Sequence, residues 1–268
     1  MPSLLSNRLA KRVLRPAFAL VEQRMERVTT AFQSDLDALH HEVADLRRQS
    51  YGLGLLLDQA GRDGHRMPTA TQVDTLVREV RAVTGDSGER ARHDITVAYR
   101  HLVALEALGA GGLAGTVSDV CGRLATVPLL GPPNGEVLEI GALHGLFAAA
   151  LQRMLRREGV EARLTIVDPL DGPPTRAHMV RANLALGGAV PGAADTARIE
   201  QGVFGDPGVR QRIADRRYGV IVVNGDPDLA AVRELAAPGA IVVLGHQPRP
   251  AGLTGLGRVA DSVYCRVD

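Results

Sequence analysis

The stretch Gly135-Glu-Val-Leu-Glu-Ile-Gly-Ala-Leu-His-Gly145 decides how the rest of this 268-residue chain is read. Its apolar pair Val137-Leu138 leads through Glu139-Ile140 into a turn that holds Gly141 and Gly145. An Ala- and Leu-rich segment, residues 146–151, follows at once. Strand, glycine turn and helix in that order put the unpaired N–H groups of a helix start at the carboxyl end of a strand. In an open α/β sheet that edge is where ligands bind. One βα unit later, Leu164-Thr-Ile-Val-Asp168 reads as a short strand ending on an acid. A carboxylate there can take both hydroxyls of a ribose, and hydrogen bonds to a charged group contribute roughly 1.5–3 kcal/mol each. Glycine turn and strand-terminal acid together predict an adenosine-type cofactor.

Spacing narrows the choice. A dinucleotide fold uses G-x-G-x-x-G so that a pyrophosphate can rest on the helix start. Here the pattern is Glu139-x-Gly141-x-x-x-Gly145, with Leu143 where a middle glycine would stand. An acid two residues before the first glycine suits a cationic ligand better than a diphosphate. The later segments Val167-Asp-Pro169, Val223-Asn-Gly-Asp-Pro227 and Pro238-Gly-Ala-Ile-Val-Val-Leu244 follow in order. Over residues 128–245 this set resembles the class I S-adenosylmethionine methyltransferases, in particular the branch with small-molecule and sugar O-methyltransferases. Their pattern runs Glu-Ile-Gly, Val-Asp-Pro, Ile-Asp-Gly-Asp-His and Pro-Gly-Gly.

The resemblance implies a Rossmann-like, mostly parallel α/β sheet and S-adenosylmethionine as cofactor. Glu139, Gly141, Ala142 and Gly145 would hold its amino-acid end and Asp168 its ribose, with Gly202 and Asn224 at the next strand ends. Phe204 either covers the adenine or belongs to the core. The glycines have an ordinary reading as a βα turn, and Asp168 as a helix cap. Metal-dependent members use an Asp and a His of the Ile-Asp-Gly-Asp-His stretch and a later Asp. This chain offers Asn224, Pro227 and His246 instead. An amide, a proline and an imidazole are a poor oxygen set for a hard divalent ion, so no metal is expected. Asp226 and His246 remain as the candidate catalytic pair, His246 as the base for an acceptor hydroxyl. His246 reads equally well as an exposed loop histidine, and His144 as a residue that positions the backbone.

Composition sets the outer limits. Apolar residues make up 45% and charged residues 23%, ordinary values for a folded domain. With no Trp, four Phe and four Tyr, there is little to stack on nucleic-acid bases, and a net charge of +1 gives no basic footprint. Nucleic acid is therefore not expected as a partner; a small-molecule acceptor is. Cys121 and Cys265 lie far apart with no metal-ligand spacing. No apolar run approaches 18 residues and the first residues lack a secretory core, so a cytoplasmic protein is expected.

Residues 1–50 predict one long helix. Leu14, Phe18, Val21, Met25, Val28, Phe32, Leu36, Leu39, Val43 and Leu46 repeat at threes and fours, with a stutter between Phe32 and Leu36. Such a stripe fits a homo-oligomeric coiled coil, or a helix packed on its own domain. Residues 1–16 carry Arg8, Lys11, Arg12 and Arg15 among leucines and no acid. They read as a segment for peripheral membrane contact or as a solvated terminus. Glycines and Pro68 mark a linker near 58–70. Residues 71–83 and a segment capped by Asp94 and running to Leu108 predict helices, and Gly109 to Gly115 a helix terminus.

The chain thus divides into a heptad helix (1–50), a helical cap region (51–127) and a Rossmann-like cofactor-binding domain (128–268). Strands are expected at 136–140, 163–168, 196–202, 219–223 and 240–244, with helices near 146–157, 175–187, 207–214 and 228–236. Residues 261–267 read as a last strand, on a sheet trimmed at that edge. The function expected is methyl transfer to a small hydroxylated acceptor, a sugar or secondary metabolite. The alternative is a degenerate member of the fold serving as an assembly or regulatory subunit.

Overall fold

A computed structural model of the chain describes residues 23–40, 43, 69–86, 88–113, 115–170, 175–187, 197–226, 228–245 and 252–268. His246, the basic segment 1–16, both ends of the heptad stripe and most of the 58–70 linker lie outside the described residues. The chain forms two compact units, Met1–Leu53 and Gly54–Asp268. In the first, helix α1 covers residues 23–40 as described, and Met25, Val28, Phe32, Leu36 and Leu39 form an exposed apolar stripe along it, at the expected spacing.

The second unit holds α2 (Ala70–Thr84), α3 (Glu89–Leu108), α4 (Val117–Leu129), β1 (Glu136–Ile140), α5 (Leu146–Arg157), β2 (Arg163–Asp168), α6 (Thr175–Gly187), β3 (Arg198–Gln201), α7 (Pro207–Ile213), β4 (Tyr218–Val223), α8 (Leu229–Leu235), β5 (Ala236–Gly245), β6 (Thr254–Val259) and β7 (Ser262–Arg266). One sheet carries all seven strands in the order β3-β2-β1-β4-β5-β7-β6. The first five are parallel, and β7 is antiparallel to both β5 and β6. This is a Rossmann-like α/β fold, with its strand order reversing between β1 and β4.

Burial on both faces explains the unbroken apolar runs of the central strands. Along β4, Val220 and Val222 enter one core while Ile221 and Val223 enter the other; β5 alternates likewise at Ile241, Val242, Val243 and Leu244. The first core is completed by α2 to α6, through Leu76, Ile95, Leu124, Leu151 and Leu184 among others. The second is covered by the shorter α7 and α8, through Val209, Ile213, Val232 and Leu235.

The helices before β1, α2 to α4, bury their apolar faces in the core that the sheet shares. Two expectations need correction. Asp94 caps nothing: α3 begins at Glu89, and Asp94 lies buried inside it, 3.5 Å from Arg157. Burial raises its carboxyl above the usual range, with Arg157 opposing. The sheet is not trimmed either. The β6–β7 hairpin turns at Ala260-Asp261 and completes that edge, with Ala260 at φ 48°. Strand β6, Thr254-Gly-Leu-Gly-Arg-Val259, carries two glycines and a register shift between them, so its alternation is hidden.

Candidate functional site

The turn after β1 is forced into shape by close backbone contacts. Gly141 sits at φ 80°, and a Cβ there would lie 2.6 Å from the carbonyl oxygen of Asn224 at the end of β4. Gly145 starts α5 at φ 76°, and a Cβ would press on Val180 of α6 at 2.9 Å. Between them Leu143 adopts φ 54°, a conformation a leucine enters only when its surroundings hold it. Its N–H donates to Asp168 Oδ2 at 3.0 Å. The other oxygen of Asp168 accepts from Leu170, whose φ is 50°. Asp168 therefore fixes two left-handed leucines, one on each side of the strand ends.

The loop from Gly109 to Gly115 is clamped onto the same turn. Asn183 of α6 donates to the carbonyls of Ala110 at 2.8 Å and His144 at 2.7 Å, and accepts from the Ala110 N–H at 2.9 Å. His144 Nδ1 lies 3.0 Å from the Gly112 carbonyl, and Gly111 passes so near the ring that a Cβ would overlap it. The expected helix terminus is there, with Gly109 closing α3 and Thr116 capping α4. Its glycines serve the close approach to His144.

A buried polar chain then runs across the strand ends. Ser262 Oγ donates to Asp119 Oδ1 at 2.7 Å. Asp119 Oδ2 accepts from both Nε and Nη2 of Arg123, and Arg123 Nη1 donates to Asn224 Oδ1 at 2.6 Å. Asn224 Nδ2 in turn donates to the Gly141 carbonyl at 2.9 Å and to Glu139 Oε1 at 3.2 Å. Glu139 Oε2 is buried without a partner. Burial pushes the Glu139 carboxyl up to about 8, opposed by Arg123 and helped by Asp168. Its buried neighbour Arg123 also stacks over the Phe147 ring at 5.6 Å.

Two hollows meet at Gly141 and Asn224, at the carboxyl ends of β1 and β4. The larger encloses about 640 Å³ open to solvent, walled by Ile140, Val167, Pro169, Gly202, Phe204 and Val223, with Asp226 and Asp228 at its rim. The smaller, about 330 Å³, lies under Gly112 and Leu113 and is lined by Arg123, Glu139, Ala142, Leu146 and Phe147.

No protein-family model matches the sequence, and no curated protein does. Solved structures to which the chain is similar include cofactor-bound Rv0187 from MTB, at 17% identity over 65% of this chain and 89% of that one, with a TM-score of 0.44. The O-methyltransferase TomG from Streptomyces achromogenes, in complex with SAM, aligns at 16% identity over 65% and 90%, with a TM-score of 0.42. The SAH-bound methyltransferase PaMTH1 from Podospora anserina aligns at 11% identity over 74% and 96%, with a TM-score of 0.43.

The structure brings Glu139, Gly141, Ala142 and Asn224 together around the smaller hollow, and Gly141, Gly202, Asn224 and Asp226 around the larger. Gly145 shapes the turn without lining either. Asp168 lies between two wall residues of the larger hollow and is 5% exposed, its carboxylate turned to the two leucine amides. Phe204 belongs to both places, buried in the second core and forming part of the wall. His246 lies outside the described residues. Among the described residues no three His, Cys, Asp or Glu side chains form a group that could hold a metal ion, and no helix is long and apolar enough to cross a membrane. Sequence reading missed Arg123, Asp119 and Asn183, because each acts across a large separation: 101 residues from Arg123 to Asn224 and 73 from Asn183 to Ala110.

Proposed function

We propose that this chain is an S-adenosylmethionine-dependent methyltransferase acting on a small hydroxylated acceptor, a sugar or secondary metabolite, without a metal. The observation that carries it is the joined pair of hollows at the strand-order reversal, one apolar and one holding a guanidinium beside a buried carboxyl. The apolar hollow fits a nucleoside: Val167, Pro169 and Phe204 would flank the base. Asp168 follows Val167 and precedes Pro169 in the chain, and each of its oxygens retains acceptor capacity beyond one amide. The polar hollow fits an amino-acid end, against the orphaned Glu139 oxygen and a Gly141 backbone with no room for a side chain.

Bound there, the cofactor would supply an electrophilic methyl group. The residues' part is to align the acceptor and take its proton. Asp226, at the rim of the larger hollow, and His246 are the assigned candidates for that proton. Asn224 favours metal-free chemistry because its amide both donates and accepts within the protein, which a coordinating carboxylate at that position could not do.

Isothermal titration of the full chain with S-adenosylhomocysteine tests the cofactor: micromolar binding is expected, and none would end the reading. Transfer of radiolabelled methyl to a panel of hydroxylated acceptors tests the reaction. Binding without turnover across such a panel would instead favour a regulatory or assembly subunit. We also assign α1 to self-association, on its exposed Met25, Val28, Phe32, Leu36 and Leu39 stripe. Light scattering with and without residues 1–50 should show a drop in the number of copies per particle.

A further inference from the structure

We infer that α1 pairs with the α1 of a second copy of this chain running in the opposite direction, the two Phe32 side chains meeting on the two-fold axis. The inference rests on the self-association assigned to α1 above and adds the partner's direction and register.

The stripe belongs to the first compact unit and is far from buried: Phe32 is 65% exposed and Val28 66%. A helix carrying such a face gains most of its stability by packing it. Its spacing states what fits. Outward from Phe32 the apolar positions step by four and then by three in both directions, to Leu36 and Leu39 on one side and to Val28 and Met25 on the other. In the sequence the same steps continue to Val43 and Leu46, and to Val21 and Phe18. Elsewhere fours alternate with threes; only at Phe32 do two fours meet. A reversed copy therefore gives every position from Phe18 to Leu46 an apolar partner only when Phe32 lies opposite Phe32. Met25 then opposes Leu39 and Val28 opposes Leu36, each contact made twice, as a two-fold interface requires.

A parallel pair in register would satisfy the spacing too, so charge decides the direction. Among the described residues Arg24, Glu26 and Arg27 precede Phe32, while Asp35 and Asp37 follow it. In the sequence, residues 33–46 hold four acids and no Lys or Arg, and their mirror images, 18–31, hold two Arg and two Glu. A parallel partner would set the four acids alongside their own copies, and charges within about 10 Å of one another repel at ordinary salt. A reversed partner sets them alongside Arg24 and Arg27. It also lays the two helix dipoles in opposite directions, which is the favourable arrangement.

Disulfide mapping on the full chain, under mild oxidation and read on non-reducing gels, tests the inference. Cys121 and Cys265 are buried, and the unaltered chain serves as the blank. A disulfide needs Cα atoms within about 7 Å of each other. In the reversed pair the two copies of Met25 stand about 21 Å apart along the axis, while Met25 of one copy faces Leu39 of the other. Met25→Cys and Leu39→Cys should each remain single chains alone and give a two-chain product when mixed and left to exchange. Phe32→Cys should link to its own copy. Met25→Cys linking to itself would overturn the reversed direction and leave self-association standing. Failure of the mixture or of Phe32→Cys to link, with light scattering still showing more than one copy per particle, would overturn the register. Single chains of the unaltered protein in light scattering would remove self-association and direction together.

Discussion

Leu143 donates its backbone N–H to Asp168 Oδ2 at 3.0 Å, so the carboxylate closing β2 holds the glycine turn that follows β1. The same side chain holds Leu170 at 2.8 Å, and both leucines sit at positive φ. Asp168→Ala should therefore lower stability by about 2–4 kcal/mol, through two lost charge-assisted bonds and two released turns. Asp168→Asn keeps an acceptor and should cost less. Urea unfolding measures both, and an unchanged midpoint for Asp168→Ala would show that the turns hold themselves.

Gly141 offers a separate test, because its φ of 80° and the nearness of Asn224 can be pulled apart. At Gly131, φ is 65° and a Cβ would meet nothing within 4 Å. Gly131→Ala should incur only the left-handed backbone penalty, about 1–2 kcal/mol. Gly141→Ala adds a contact of 2.6 Å with the Asn224 carbonyl and should exceed the control by about 1–3 kcal/mol in chemical denaturation. Equal effects would mean that β4 yields freely at its end.

Asn224 replaces an acid of the motif that it resembles, and its bonds explain the amide. Asn224→Asp keeps the acceptor for Arg123 but removes the donor to Gly141 and sets a carboxylate against Glu139. A loss of about 1–3 kcal/mol in stability is expected. Asn224→Ser, which keeps one short donor, should lose less than the aspartate. The reverse ranking would argue that charge at this position is tolerated and that hydrogen bonding is secondary.

How far such features could be read from the sequence depends on how local their cause is. The central strands β4 and β5 stood out because both faces are buried, so Val220 to Val223 and Ile241 to Leu244 are apolar without interruption. Glu139 and Gly141 announced themselves by spacing across three residues. Helix α4 did not, because Gly122 and Pro128 interrupt it. Yet Gly122 is there because Val259 of the hairpin packs where a Cβ would lie, 2.8 Å away. Arg123 and Asp119 look like an ordinary exposed i, i+4 pair until the fold encloses them. Asp168 was legible as an acid closing a strand, but its bonds to Leu143 and Leu170 depend on loop conformations that no local pattern announces.

Glu139 links the site to pH. Its carboxyl is pushed from 4.5 up to about 8 by burial, with Arg123 opposing and Asp168 reinforcing. Between those values the folded chain keeps a proton that the unfolded chain has released. Stability should therefore decline as pH rises from about 4.5 to about 8 and level off above. Glu139→Gln removes that slope, so the variant should gain on the parent chain across the window, by a few kcal/mol at most. Urea denaturation at pH 5, 6.5 and 8 measures the gap, and a gap independent of pH would mean that the native carboxyl is already ionised at pH 5. Ligand binding should move the equilibrium the other way. An ammonium brought against Glu139 favours its carboxylate, so binding of S-adenosylhomocysteine at pH 7 should release up to one proton. Calorimetry in phosphate and in Tris, whose ionisation heats differ widely, reads that proton directly. Identical heats in the two buffers would show that the ligand's amine goes elsewhere.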